Sequence, residues 1–417
     1  MRQQFKQLVF SKLVRASTWL FTGGFTAGVL GYFFQILMGR MLSVSEYGIL
    51  SALLAMMMVV GAPMATLSMI VARRVSTFLY ENDKSKLSYL FYWINRKLFF
   101  LAVAIIIFFI LNTKTLQNFL SINDSTHLYL LLIILLISFP LAIFNAFFQG
   151  LRFFKWLSFS GILTSVFKII FAPILVFLGW GVSGALGGIV LSTLIVLFLN
   201  YVILHPSLSE KKLNDPVITE FLFKSSLPVL LANVAFAFMS QIDMILVKYY
   251  FTEHDAGIYA SASILGKAVM YFPGGVAMAL FPMVATNHAG GISSKNLMVQ
   301  AVSITLFLSV IGALFYYFFA ESIILMLLGN DFIEAANILR YYGFAIAPMA
   351  LIMIAEYFLI AMGKVLFAYL FIVVAPLQFI AIYYYHDTLM NVVTVLFVSG
   401  ITLVMLGYGL LWGEFKK

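Results

Sequence analysis

The sequence predicts an all-α integral membrane protein of about twelve transmembrane helices in two six-helix lobes. A pseudo-two-fold axis along the membrane normal would relate the lobes. Three observations lead there. Hydrophobic residues make up 63% of the 417 and charged residues only 10%, where soluble domains hold roughly 45–50% and 25%. The apolar residues fall in runs long enough to cross a bilayer, about 20 residues each. A short motif beside the first outer loop also returns in the second half of the chain.

The first six spans are expected near 16–38, 48–71, 97–112, 128–149, 156–178 and 182–204. The next six are expected near 225–250, 256–284, 297–319, 341–362, 364–385 and 388–412. The third is short, and its basic, aromatic approach from Leu87 to Lys97 reads as a continuation of the same helix. Arg2, Lys6, Lys12 and Arg15 precede the first run as they would in a signal peptide. That run is too long for a signal core and lacks a small-residue cleavage site, so it reads as an uncleaved span.

Charge placement orients the spans. With the N-terminus cytoplasmic, most of the 25 Lys and Arg residues fall on inside segments, as the positive-inside rule requires of an even span count with both termini cytoplasmic. The same distribution explains the net charge of +9 without a nucleic-acid partner. Cysteine is absent, which excludes disulfides and thiol chemistry. The five histidines are scattered, so no metal site is expected, and no phosphate-binding loop or other catalytic signature is present.

The polar stretch His205–Glu220 lies at mid-chain, dividing residues 1–212 from 213–417. Ser43-Val-Ser-Glu46-Tyr-Gly48-Ile49 is echoed 209 positions later by Thr252-Glu-His-Asp255-Ala-Gly257-Ile258. Each places a hydroxyl, an acid three residues on, and Gly-Ile at the start of a span, a capping-box pattern. Gly150-Leu-Arg-Phe-Phe154 and Gly363-Lys-Val-Leu-Phe367 form a second echo. Six spans per half make the repeats parallel, with a transport site expected between them.

Ionisable residues deep in a span mark function or structural pairing. Lys168 lies about 18 Å of helix from the start of span five, on one face with Gly161 and Thr164. Lys267 lies at similar depth in span eight, with Tyr259 and Ser263 on its face. Each either snorkels or pairs with a carboxylate on another span, or else lines a cavity for an anionic substrate. Arg40, at the outer end of span one, joins that cavity or anchors the interface. Asp243 and Glu356 are the acids within spans. They are either ion-coupling groups, for H+ or Na+, or partners of the lysines, with pairing favoured for Glu356. Asp243 shares a polar stripe with Asn233, Ser240 and Gln241, which favours a cavity-facing position. Gly24, Gly28, Gly31 and Gln35 share a face of span one. Close helix packing is the preferred reading of the glycines, while Gln35 joins Thr164, Ser263 and Asn233 as cavity-lining positions. Pro273-Gly274-Gly275 is expected to interrupt span eight.

Gly39-Arg40-Met-Leu-Ser43-Val-Ser-Glu46-Tyr47-Gly48 resembles the span-one-to-two signature of bacterial polysaccharide (oligosaccharide-lipid) flippases. Their superfamily also holds the multidrug/toxin extruders and the lipid II flippases. Gln241-Ile-Asp243-Met-Ile, then Ala256-Gly257-Ile-Tyr259-Ala260, Lys267 and Phe281-Pro282, resembles the family's span seven-to-eight region. Gly329-Asn-Asp-Phe332 with Ala335, Ala336 and Leu339 resembles its segment before span ten. The resemblance implies a V-shaped, two-lobed exporter fold in the bacterial cytoplasmic membrane, a cationic cavity and alternating access. It implies, as substrate, an undecaprenyl-pyrophosphate-linked repeat unit of O-antigen, capsule or exopolysaccharide. Membrane lipids, glycosyltransferases and a polymerase of that pathway would be its partners. The alternatives are a multidrug/toxin extruder, whose cavity should favour carboxylates, and a membrane-embedded glycan ligase or polymerase.

Overall fold

The computed structural model describes residues 2–122, 124–208, 227–290, 292–364 and 366–415, which form helices joined by short turns with no strand among them. In chain order the helices are α1 (Arg2–Met41), α2 (Val44–Tyr80), α3 (Lys84–Leu120), α4 (Ser125–Gly150), α5 (Phe154–Leu175) and α6 (Gly181–Leu204). They continue as α7 (Leu227–Tyr250), α8 (Glu253–Gly266), α9 (Ala268–Tyr271), α10 (Gly274–Ala289), α11 (Lys295–Leu327), α12 (Ala335–Ala361), α13 (Leu366–Tyr384) and α14 (Leu389–Phe415). Among the described residues, ten stretches are long and apolar enough to cross a membrane, and Tyr369–Tyr384 is a shorter apolar helix.

One of the ten, Phe154–Ser207, is 54 residues long, about 80 Å of helix at 1.5 Å per residue against about 30 Å of hydrocarbon. It is two antiparallel helices. Gly179 and Gly181 take φ of 87° and 47°, a left-handed region that a side chain would strain. The chain therefore turns back there, and Gly184 packs on Leu175 while Gly188 packs on Ala172. Helix α3 runs unbroken from Lys84, so the basic, aromatic approach to the third span is part of the same helix. The interruption expected at Pro273-Gly274-Gly275 separates α9 from α10.

Helix starts follow the local chemistry of the sequence. Ser43 donates its backbone N–H and its hydroxyl to Glu46 Oε2, each at 2.9 Å, and its Oγ accepts from the Glu46 amide. Thr252 and Asp255 form the corresponding cap on α8, with Oγ1–Oδ2 at 2.7 Å and the Asp255 amide donating back to Oγ1. Two donors that a helix start leaves orphaned are thereby satisfied. Asp83 and Asp124 cap α3 and α4 in the same way.

The chain divides into two compact units: Met1–Met41 with Val60–Leu227, and Leu42–Val59 with Pro228–Lys417. The expected boundary between residues 212 and 213 lies outside the described residues. The first part of α2 groups with the second unit, and the crossover falls at Val59–Val60. Pro63 lies inside α2. It lacks the amide that would bond the Val59 carbonyl, which is the usual cause of a helix bend.

In unit 1, α5 packs on α1 and α6, and α4 packs on α3 and α6. Its core gathers Phe91, Phe144, Phe147 and Phe148 between α3 and α4. Phe91 meets Phe144 and Phe147 edge-on at 5.3 and 5.2 Å between centroids. In unit 2, α12 is the central helix, packed on α8, α9, α10, α11, α13 and α14. Large apolar side chains such as Phe99, Phe100, Phe108 and Leu111 on α3 stay exposed, which in water would be a liability and in lipid is solvation. Lys97, Lys155 and Lys295 lie over the rings of Trp93, Trp19 and Trp412, a pairing that suits headgroup depth.

Candidate functional site

Lys168 in unit 1 and Lys267 in unit 2 have different surroundings, and unit 2 also buries Lys248, which faces Glu253 at 3.7 Å. In unit 2, Asp243 on α7 is fully buried. Its Oδ2 accepts hydrogen bonds from the hydroxyls of Tyr259 at 3.0 Å and Tyr342 at 2.8 Å. Its Oδ1 faces the Lys267 ammonium at 3.6 Å and takes no hydrogen bond among the described residues. Lys267 donates instead to Gln241 Oε1 at 3.1 Å. Ser263 shares a hydrogen bond with the Tyr342 hydroxyl at 2.9 Å.

The sequence builds this cluster from three helices. Tyr259, Ser263 and Lys267 recur every fourth residue on α8, so they share one face. Lys267 is the residue that closes α8, taking the C-cap position, where helical carbonyls favour a cation. Gln241 and Asp243 come from α7, and Tyr342 from α12. A side chain at Gly266 would overlap the Tyr342 ring, so this glycine admits the tyrosine. Pairing with a carboxylate on another span, one of the two alternatives for Lys267, is the geometry present. Tyr342 carries no sequence signal, because it stands 99 residues from Asp243 in an ordinary aromatic stretch.

Glu356, on the same helix as Tyr342, is buried but joins neither lysine in an ion pair. Its nearest titratable neighbour along the chain is Tyr357, whose ring meets Phe281. Asn233 is half-buried on α7, ten residues before Asp243.

In unit 1, Lys168 is half-buried on α5, with its ammonium 4.3 Å from the centre of the buried Phe34 ring. It makes no ion pair among the described residues, so the ring face is its electrostatic partner. The α1–α5 contact runs from Ser158, whose hydroxyl donates to the Trp19 carbonyl, through Ser165 and Ala27 to Lys168 and Phe34. Thr164 donates back to the Ser160 carbonyl at 2.9 Å. Gln35 is half-buried, and its Oε1 has no hydrogen-bond partner among the described residues. Arg40 is exposed in the last turn of α1.

The glycine stripe of α1 corrects an expectation. A Cβ on Gly24, Gly28 or Gly31 would meet nothing within 4 Å, whereas one on Gly23 would overlap Ser158. The face used for helix packing is that of Gly23, Ala27 and Phe34. It is turned by roughly a quarter of the helix circumference from the stripe, at 3.6 residues per turn.

The family described as polysaccharide biosynthesis protein matches residues 13–288. No curated protein matches the chain. Among solved structures, the inward-facing conformation of a multidrug resistance MATE family transporter of the MOP superfamily is similar. The match covers 92% of this chain and 93% of that one at 15% identity, with a TM-score of 0.77. Lipid II flippase MurJ in an inward closed conformation is similar over 93% of this chain and 86% of its own, at 15% identity and a TM-score of 0.74. Likeness at this identity establishes a shared fold.

Proposed function

The chain belongs to the polysaccharide biosynthesis protein family, and on that premise we propose that it is a flippase for lipid-linked oligosaccharides. Its substrate would be a repeat unit of O-antigen, capsule or exopolysaccharide carried on undecaprenyl pyrophosphate. It would move from the inner to the outer leaflet of a bacterial cytoplasmic membrane by alternating access, with both termini of the protein cytoplasmic. Glycosyltransferases that supply the substrate and a polymerase that consumes it would be the pathway partners.

The observation that carries the proposal is Lys168, a deep lysine whose described contact is an aromatic ring and not a carboxylate. Charge in hydrocarbon is costly enough to require a use, and a pyrophosphate supplies the missing anion. Thr164 and Gln35 would add polar contacts beside it, and Arg40 would attract the anion at the outer end of α1. In unit 2, Lys267 uses one of its three N–H donors on Gln241, leaving donors for a second anionic contact. Ser263 and Asn233 would line that side. Asp243 and Glu356 are the coupling carboxyls for H+ or Na+. A multidrug extruder of the same superfamily fits less well, because a cationic drug would meet like charge at Lys168.

The test is transport in proteoliposomes loaded with fluorescent lipid-linked oligosaccharide, read by quenching with an impermeant reagent. Lys168→Met should lower the rate roughly ten- to hundredfold, the worth of a charge-assisted hydrogen bond, and Lys168→Arg should restore much of it. Wild-type rates in Lys168→Met would overturn the role of the lysine. No movement of any lipid-linked oligosaccharide by the wild-type protein would overturn the flippase proposal, and a covalent change in the substrate would indicate a glycan ligase or polymerase.

A further inference from the structure

In unit 1, the start of α5 brings together backbone donors and cations that have no anion. Phe153 stands at its N-cap and supplies no side-chain hydrogen bond. A helix start leaves its first amides without intrahelical acceptors, and those of Phe154, Lys155 and Trp156 find none among the described residues. Arg152 and Lys155 flank these amides. Both side chains are exposed, and neither makes an ion pair among the described residues. The described acids of unit 1 are engaged elsewhere: Glu81 and Asp83 with Lys86, and Asp124 in the cap of α4 at the far end of that helix.

A second, independent feature adjoins the same turn of helix. Asn200 of α6 is fully buried, and its Oδ1 accepts from the Trp156 indole N–H at 2.8 Å. That bond fixes the orientation of the carboxamide and turns it toward the first turn of α5. Its Nδ2 donor has no hydrogen-bond partner among the described residues. Buried donors are nearly always satisfied, and an unsatisfied one points to an acceptor that binds there. The depth of the site is set by its neighbours. The Lys155 ammonium lies 5.7 Å from the centre of the Trp19 ring, and the Trp19 carbonyl accepts from Ser158, which holds α1 against the start of α5. Phe159, one turn or about 6 Å beyond Lys155, and Phe21 of α1 are exposed apolar rings. The cations therefore stand where headgroups meet hydrocarbon.

We infer that the start of α5 is a binding site for the phosphate of an anionic phospholipid. The free amides and the helix dipole favour an anion there. Arg152 and Lys155 add charge-assisted hydrogen bonds to phosphate oxygens, and the Asn200 amide adds a neutral donor. The Trp19 ring holds the Lys155 ammonium at headgroup depth, and the acyl chains lie along Phe159 and Phe21. Basic residues placed beside membrane helices in this way attract anionic headgroups. A soluble acidic partner fits less well, because exposed phenylalanines one turn away would keep the site at the lipid surface. The site is separate from Lys168, which lies about 20 Å further along α5 than Lys155, so the inference does not depend on the transport reading.

Native mass spectrometry of the full-length protein in neutral detergent tests this, with phosphatidylglycerol, phosphatidylcholine and undecaprenyl pyrophosphate titrated separately. The wild type should bind phosphatidylglycerol at least tenfold more tightly than phosphatidylcholine. Arg152→Gln/Lys155→Gln should weaken phosphatidylglycerol binding by roughly tenfold or more, whereas Lys114→Gln, at the far end of α3, should leave it unchanged. Phe153→Asp places a carboxylate at the N-cap, where it takes the free amides itself, and should weaken phosphatidylglycerol as well. In thermal unfolding, phosphatidylglycerol should raise the midpoint of the wild type and not that of the double variant. Equal binding of the two phospholipids, or equal weakening by Lys114→Gln, would overturn the site. Unchanged binding in Phe153→Asp would overturn the part given to the helix start. A preference for undecaprenyl pyrophosphate over phosphatidylglycerol, lost in the double variant, would overturn the assignment to a phospholipid.

Discussion

Lys267→Met removes the cation from a cluster whose other members are all buried, and the structure sets the scale of the effect. At 3.6 Å two unit charges attract by about 5 kcal/mol at an effective dielectric constant of about 20. Substitution leaves the fully buried Asp243 carboxyl without its counter-charge and with only two tyrosine hydroxyls, so a loss of about 3–5 kcal/mol of stability is expected. Asp243→Asn should cost a similar amount, because Lys267 is then left with Gln241 alone. The double variant Lys267→Met/Asp243→Asn removes both charges and their desolvation together. It should be at least about 2 kcal/mol more stable than the sum of the single losses. Denaturant unfolding of the purified protein in detergent, followed by tryptophan fluorescence, gives the three differences. Additive losses, or single variants within about 1 kcal/mol of wild type, would refute the pairing.

Glycine substitutions should separate by location. An alanine Cβ at Gly257 would overlap the Val44 carbonyl, while one at Gly24 would meet nothing within 4 Å. Gly257→Ala should therefore destabilise by about 1–3 kcal/mol, and Gly24→Ala should stabilise by up to about 1 kcal/mol through helix propensity; thermal unfolding of the two variants checks the opposite signs. Asp83, in the turn before α3, is held below the usual carboxylate range, chiefly by the Lys86 amide, with the Lys86 ammonium and the Ser85 amide adding to it. A depressed folded value means that the cap is fully present above the ordinary carboxylate range and is lost as pH falls through the lower, folded value. Hydrogen exchange at Ser85 and Lys86, corrected for intrinsic rates, should accelerate only there. Asp83→Asn, which keeps the cap, should remove that acid step, and an unchanged acid step would refute the assignment.

The linear order of residues determined whatever depends on near neighbours. Apolar runs fixed the helices, the Ser43/Glu46 and Thr252/Asp255 pairs fixed where α2 and α8 begin, and rarity alone marked Lys168, Lys267, Asp243 and Glu356 as charges that must be explained. The every-fourth-residue spacing also put Tyr259, Ser263 and Lys267 on one face, as found. Everything that depends on which faces of two helices meet was decided in three dimensions. The stripe of Gly24, Gly28 and Gly31 carries a packing pattern, yet α1 is rotated so that Gly23 meets α5 instead. Spacing within α1 says nothing about that rotation. The split between 156–178 and 182–204 was already legible in the sequence and falls at Gly179–Gly181, but that the first part of α2 groups with helices about 170 residues away was not. The sharpest case is the contrast between the acids. Local sequence favoured structural pairing for Glu356 and a cavity-facing position for Asp243, and the structure reverses the two: Asp243 pairs with Lys267. Tertiary packing brought Lys267, Tyr259 and Tyr342 to Asp243, while Glu356 joins no ion pair among the described residues, because a buried charge is governed by distant segments that no local pattern records.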